Sequence, residues 1–541
     1  MTMTIRSVLT LLLAAILAGC GGGSSRAVLP GTSDTSSAPA ASARTSASFT
    51  IAVPAKSVQT QSRNPQYISV NTESVIITLA TVNGTAFTGP QAETAANLTS
   101  SNPSCSGSPL TCAITVPAAA GTDVFTVSTY SAQQTSAAPA IPAGSVLSTG
   151  TVSVNVVSGQ ANAPATALVL NGVVASVVAT FPSDPHISGT QSGGYAIVGS
   201  QPYALTVSPV DASGATIVGD GAPTFAVTSG TNAVAVSSSG ADTFTVRVQS
   251  YSATPVNLAI TPSSGTVTNL ALTTVQELWV SDYTANTVTA YGLAATPTPI
   301  SSDTITAGLS MPVGIAVDAS GDLWVANIGG HNVTVYAPGT NTAIAADTIS
   351  AGLNSPAGLA FDASGSLWVA DAGLSIIEAF VPGTNTPIAG DTITAGVSGP
   401  QDLAFDASGH LWVANTNASD VIAFSVTPTP TQITADTITA GLSGPDGLTF
   451  DASGLLRVAD QTNSTITAYT PGTSTAISAD TVSGSGGVSS PQHVRFDASG
   501  RMWVANQTNG MVTAYAPGTT TPISADTISG FHAAGGLAFS P

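Results

Sequence analysis

Tryptophan is scarce in this chain, and its placement is regular. Trp279, Trp324, Trp368, Trp412 and Trp503 are all five in the sequence, and with Arg457 in the one gap they recur every 44–46 residues. So regular a period marks a repeat array, and units of about 45 residues built from short apolar runs are propeller blades rather than helix pairs. One unit reads Pro356-Ala-Gly-Leu-Ala-Phe-Asp362-Ala-Ser-Gly365-Ser-Leu-Trp368-Val-Ala-Asp371, then Ile376-Ile-Glu-Ala-Phe-Val, then Asp391-Thr-Ile-Thr-Ala-Gly396. Leu-Ala-Phe is the expected inner strand, Asp-Ala-Ser-Gly the tight turn and Leu-Trp-Val-Ala the second strand, with two outer strands following. Small residues let inner strands crowd the axis, while Trp and Leu fill the wider space between blades.

The pattern P-x-G-[IL]-A-[FV]-D-x-x-G-x-L-W-V-A-[ND] resembles the NHL repeat over residues 275–541. The first copy begins at Glu277-Leu-Trp-Val without an inner strand, and Gly535-Gly-Leu-Ala-Phe is an inner strand without its turn. The second should complete the first, closing six blades and removing two free sheet edges.

Composition removes whole classes of function. Lysine occurs once, at Lys56, and 9 basic against 28 acidic residues leave a formal charge of −19 at pH 7. Such a surface offers nothing to a nucleic-acid backbone or an anionic bilayer. Charged residues are only 7% of the chain, too few for coiled coils or helical bundles. The expected fold class is therefore all-β.

Residues 1–19 read as a signal segment, with Arg6 ahead of an apolar run from Val8 to Leu17. The run closes in Leu17-Ala-Gly-Cys20, which resembles the lipobox of bacterial lipoproteins. That resemblance implies export, diacylation of Cys20, and a membrane partnership through the lipid; Gly21 after it points to the outer membrane. Residues 20–48 have almost no large apolar side chain and read as a disordered tether.

Residues 49–160 and 161–274 read as two immunoglobulin-like β-sandwich modules. The first carries strand runs at Tyr67–Val70, Ser74–Leu79 and Asp123–Tyr130; the second opens on Ala167-Leu-Val-Leu, Asn171-Gly172 and Val173-Val-Ala-Ser-Val-Val, the pattern of a hairpin. Cys105 and Cys112 enclose a Gly/Pro turn and are expected to form a disulfide worth about 2–3 kcal/mol.

The aspartates that recur in nearly every blade (Asp318, Asp362, Asp406, Asp451 and Asp497; Asp303, Asp347, Asp391, Asp436, Asp480 and Asp526) read as turn residues, since a catalytic group is needed once. Departures from the repeat are better candidates for a binding site. The axial series runs Gly314, Gly358, Asp402, Gly447, His493 and Gly535 or Gly536. Six-bladed enzymes similar in repeat, such as gluconolactonase-like hydrolases, peptidylglycine lyase and virginiamycin B lyase, mount metal or catalytic groups around that channel. One His and one Asp fall short of a metal site, so no metal, no cofactor and no catalytic residue is assigned. Arg457 and Arg495 also break the repeat, and could pair with turn carboxylates or seat an acidic ligand. His186, alone in Ser-Asp-Pro-His, reads as a solvated loop residue, as do His331, His410 and His532. The expectation is a lipid-anchored protein whose propeller binds a protein, glycan or small molecule; the alternative is a channel-centred lyase or lactonase-like hydrolase.

Overall fold

The computed structural model describes residues 45–54, 68–89, 92–135, 144–166, 168–218, 221–252, 254–381, 383–484 and 487–541. The signal segment, Cys20 and the proposed tether up to residue 44 lie outside the described residues. Residues 45–48, expected in the tether, are instead the start of a strand, Thr45–Val53. Its inward positions are every second residue, so Ala47, Phe49, Ile51 and Val53 are buried together.

Thr45–Val53, Leu110–Ala118 and Cys105–Ser106 make one sheet of the first sandwich. The facing sheet is built on Ser74–Val82, Gly121–Tyr130 and Val146–Val156. Phe49 meets Phe125 edge-on across the core, with ring centroids 5.2 Å apart. Cys105 and Cys112 oppose each other on adjacent antiparallel strands and form the disulfide.

Two sequence readings are corrected. No strand forms at Ile68–Val70; Ser69 receives the backbone N–H of Asn71 in a local turn, and Ile68 is buried in the first core. Asn171-Gly172 is not a hairpin turn, because it pairs with Ser148 and Thr149 at the edge of the first sandwich. Leu168 and Leu170 go into the first core while Val177 goes into the second, so this stretch is the crossing between cores. An apolar–turn–apolar pattern has the same local text whether the chain folds back or passes on.

The second sandwich has Ser176–Thr180, Pro202–Val210, Thr243–Val248 and Val234–Ser238 in one sheet. The opposite sheet includes Gly194–Val198, Thr268–Val275 and Val256–Pro262. Its strand Thr268–Val275 runs into the ring strand Glu277–Asp282 with Gln276 alone between them, leaving no length for a linker.

Six antiparallel sheets follow, numbered here as blades. Their inner strands are Ala534–Phe539 in blade 1, then Pro312–Val317, Pro356–Phe361, Pro400–Phe405, Pro445–Phe450 and Pro491–Phe496 in blades 2 to 6. Each contacts the next and the sixth contacts the first, so the sheets close into the ring of a β-propeller. Closure occurs where the sequence places it: Leu278, Trp279 and Val280 pair with Phe539, Ala538 and Leu537.

Each indole is buried against the following blade, as where Trp324 packs on Leu359, Leu367 and Val369. At the axis the spacing is too small for side chains. A Cβ on Gly314 would lie 2.0 Å from the Ala357 carbonyl oxygen, which only glycine avoids.

Candidate functional site

The Asp-Ala-Ser-Gly turns work as expected from the sequence. In blade 3, Oδ1 of Asp362 accepts the N–H groups of Ser364 and Ser366, and Oδ2 accepts the Trp368 indole N–H at 3.0 Å. The same indole bond joins Trp324 to Asp318, Trp412 to Asp406 and Trp503 to Asp497. These bonds favour the ionised form and outweigh burial, holding the Asp362 and Asp406 carboxyls below their usual range.

The repeat-breaking axial residues meet. Asp402 and His493 come from blades 4 and 6, and blade 5 lies between them, yet His493 Nε2 is 3.7 Å from Asp402 Oδ1. Arg495 grips Asp402 with both ends of its guanidinium, Nη1 to Oδ2 at 2.9 Å and Nη2 to Oδ1 at 3.1 Å. The backbone N–H of Leu448 donates to Oδ2 as well. Asp402 is 0% exposed and His493 1% exposed, so both lie in packed protein rather than in a wet channel.

Burial opposes ionisation of Asp402, but Arg495, with His493 and the hydrogen bonds, holds its carboxyl below the usual range. Burial together with the Arg495 charge pulls the His493 imidazole down to about 4, against the pull of Asp402. Leu537 N–H donates to His493 Nδ1 at 3.4 Å, placing the ring proton on Nε2, which faces Asp402 but makes no hydrogen bond. Asp446, on the inner strand between them, is pushed well above the carboxylate range by burial and by the Asp402 charge.

Arg457 sits elsewhere. Its Nε and Nη2 donate to Asp451 Oδ2 at 3.2 and 2.9 Å, and Nη1 donates to the Asp480 carbonyl. Both candidate arginines are therefore committed to carboxylates, and each keeps under a fifth of its side chain exposed.

A second cluster, invisible in the sequence, lies where the second sandwich meets blade 1. His186 is not a solvated loop residue: it is 7% exposed, with Nδ1 2.9 Å from Asp184 Oδ1 and Nε2 2.7 Å from Asp303 Oδ2. Asp303 is likewise no turn residue; it sits within the strand Thr298–Ile305 and is 2% exposed. Glu277, the first residue of its strand, is 3% exposed and places Oε1 3.9 Å from His186 Nε2. Blade 1 has no turn aspartate for its indole, and there Trp279 lies beside the Glu277 carboxylate and favours its ionised form.

Burial disfavours a charged His186, but its bonds to Asp303 and Asp184 outweigh that and push the ring up to about 9. Burial, reinforced by Asp303 and opposed by His186, pushes Glu277 up to about 7. Glu277 also lines a cleft at the joint with Gln201, Trp279 and Ser540. The other histidines are more ordinary: His410 lies against Asp406, His331 accepts the Ser355 N–H, and the side chain of His532 is 71% exposed.

No family profile matches the chain, and no curated protein does. Solved structures do. A nidogen–laminin complex is similar at 17% identity and a TM-score of 0.41, over 49% of this chain and 98% of that one. A virginiamycin B lyase from Staphylococcus aureus, solved with quinupristin, is similar at 12% identity and a TM-score of 0.34, over 54% of this chain and 86% of that one. A streptogramin B lyase is similar at 10% identity and a TM-score of 0.37, over 58% of this chain and 91% of that one. Structures similar to this chain thus include both a binding complex and lyases.

Proposed function

We propose that this is an exported protein, anchored to a bacterial outer membrane through a lipid on Cys20, that displays its propeller as a binding or scaffolding head. The observation that carries this reading is the bidentate grip of Arg495 on a fully buried Asp402. A channel-centred enzyme must keep its reactive groups free to meet substrate. Here the carboxylate and the guanidinium are spent on one another, with the imidazole buried beside them, tying blades 4 and 6 together across blade 5. With both Arg457 and Arg495 paired to carboxylates, the acidic remainder of the surface favours neutral or cationic partners, whether protein, glycan or small molecule.

The test has two arms. Cell fractionation should find the wild-type chain with the outer membrane and Cys20→Ala either soluble or unprocessed; wild-type protein in the cytoplasm would overturn the anchor. In the second arm, purified Cys20→Ala protein is incubated with quinupristin and with aldonolactones in the presence of Mg2+. No turnover is expected. Turnover abolished by His493→Ala would overturn the binding reading and establish a channel-centred enzyme.

A further inference from the structure

We propose that His186, Glu277 and Asp303 form a site for one borderline divalent transition cation, Zn2+ foremost, in the joint between the second sandwich and the ring. The three come from separate elements: the turn before Ile187–Thr190, the first position of Glu277–Asp282, and the middle of Thr298–Ile305. One ligand atom from each lies within 4.8 Å of the others, and all three residues are buried.

The second observation is an unanswered lone pair. Glu277 Oε1 is buried and has no hydrogen-bond partner. Buried polar atoms are nearly always partnered, and a bare carboxylate oxygen aimed at a second carboxylate and an imidazole is the arrangement a cation resolves. On ligating, His186 releases its Nε2 proton to solvent, and the two carboxylates with the resulting neutral imidazole carry two negative charges, which one divalent ion cancels.

The surrounding residues orient this set. His186 Nδ1 is held by Asp184 at 2.9 Å, which leaves Nε2 turned to the centre; a carboxylate behind a ligating histidine is the usual support for such a ligand. Ser302 Oγ donates to Asp303 Oδ1 at 2.8 Å and leaves Oδ2 facing the centre. Tetrahedral ligands at about 2.0–2.1 Å from zinc stand roughly 3.3 Å from each other. Against that, Nε2 is 2.7 Å from Asp303 Oδ2 and 3.9 Å from Glu277 Oε1, so one gap opens and the other closes by well under 1 Å. One nitrogen and two oxygens without a thiolate suit Zn2+ and its first-row neighbours. Ca2+ wants about six to eight oxygens, more than this set offers. Glu277 also borders a cleft at the joint, with Gln201 and Ser540.

Such an ion would clamp sandwich to ring. The test uses chelator-stripped Cys20→Ala protein titrated with ZnCl2 by calorimetry, with melting followed in parallel. Expected are one Zn2+ per chain, a rise in melting temperature of roughly 3–5 °C at saturation, and a loss of affinity of at least tenfold in His186→Gln. Glu277→Gln is the decisive variant, since it removes the unpartnered charge without removing bulk. It should melt at or above the stripped parent temperature while losing the zinc-dependent rise. No zinc uptake by the parent overturns the site, as does a zinc-dependent rise that survives in Glu277→Gln.

Discussion

Arg457 donates to the Asp451 carboxylate at 2.9 Å from the position that an indole holds in four other blades. The substitution keeps the bond and changes the filling. Trp412 packs into the core between blades 4 and 5, whereas the core between blades 5 and 6 is built from residues such as Ala459, Ile466 and Val494. Arg457→Ala leaves Asp451 short of its donor and opens a void, and should cost about 2–4 kcal/mol in denaturant unfolding. Arg457→Trp restores the repeat and should unfold at the parental midpoint or above.

The axial cluster contains one carboxyl too many. Asp402 has Arg495, but Asp446 has only burial and the Asp402 charge acting on it, and both disfavour its ionised form. Replacing it by an uncharged isostere removes that opposition. Asp446→Asn should raise the melting temperature by about 2 °C or more, the response to about 1 kcal/mol in a domain of this size. An unchanged or lower value by calorimetry would contradict the electrostatic reading.

His493 predicts the shape of the acid limb. Its folded-state value of about 4 lies below the ordinary value of 6.5, so the unfolded chain takes up a proton first as pH falls. Stability from this residue is fully present above about pH 6.5, declines down to about pH 4 and then levels, a step of roughly 3 kcal/mol. Asp402 and Arg495 are the charged groups facing it. The depressed carboxylate of Asp402 contributes its loss at lower pH, as the pH falls through its own folded value. Stability measured by urea unfolding across pH 4–7 should be flatter in His493→Gln than in the parent.

Ring closure is local in space and distant in sequence. Deleting Gly535 to Pro541 strips the inner strand from blade 1 and removes Ser540, whose Oγ lies 2.7 Å from the Tyr251 hydroxyl of the second sandwich. The loss of ring stability should far exceed that from trimming an exposed loop of equal length, with the melting temperature lowered by about 10 °C or more. A truncated chain melting with the parent would contradict the pairing of Trp279 with Ala538.

What the sequence could express was whatever it repeats. The indole, its turn aspartate and the axial glycine recur blade after blade, so a local pattern was read several times over and the strand closing blade 1 stood out as the unmatched copy. Asp402, His493 and Arg495 were legible as departures from that pattern, but their mutual contact was not, because blade 5 separates them in sequence. The His186 cluster left no such trace. Its partner Asp303 is 117 residues away, in a different domain, and carries the same Asp-Thr text as partly exposed aspartates such as Asp347 and Asp391. Asn171-Gly172 failed for the opposite reason: its local signal was clear, and long-range pairing with Val146–Val156 overrode it.

The pairing of Glu277–Asp282 with Ala534–Phe539 also sets an order of events. A ribosome makes the ring's first strand before any of the others and its partner after all of them, so blade 1 waits with an open edge while blades 2 to 6 emerge. The sandwiches and the middle blades can settle from neighbouring text, but the ring cannot finish until its most distant contact is made, which is the slow kind of step. Ser540 then meets Tyr251 and the Glu277 N–H within one residue of that strand, so the act that completes the circle also seats it on the preceding domain. Completion and docking become a single late event, and an interrupted chain forfeits both.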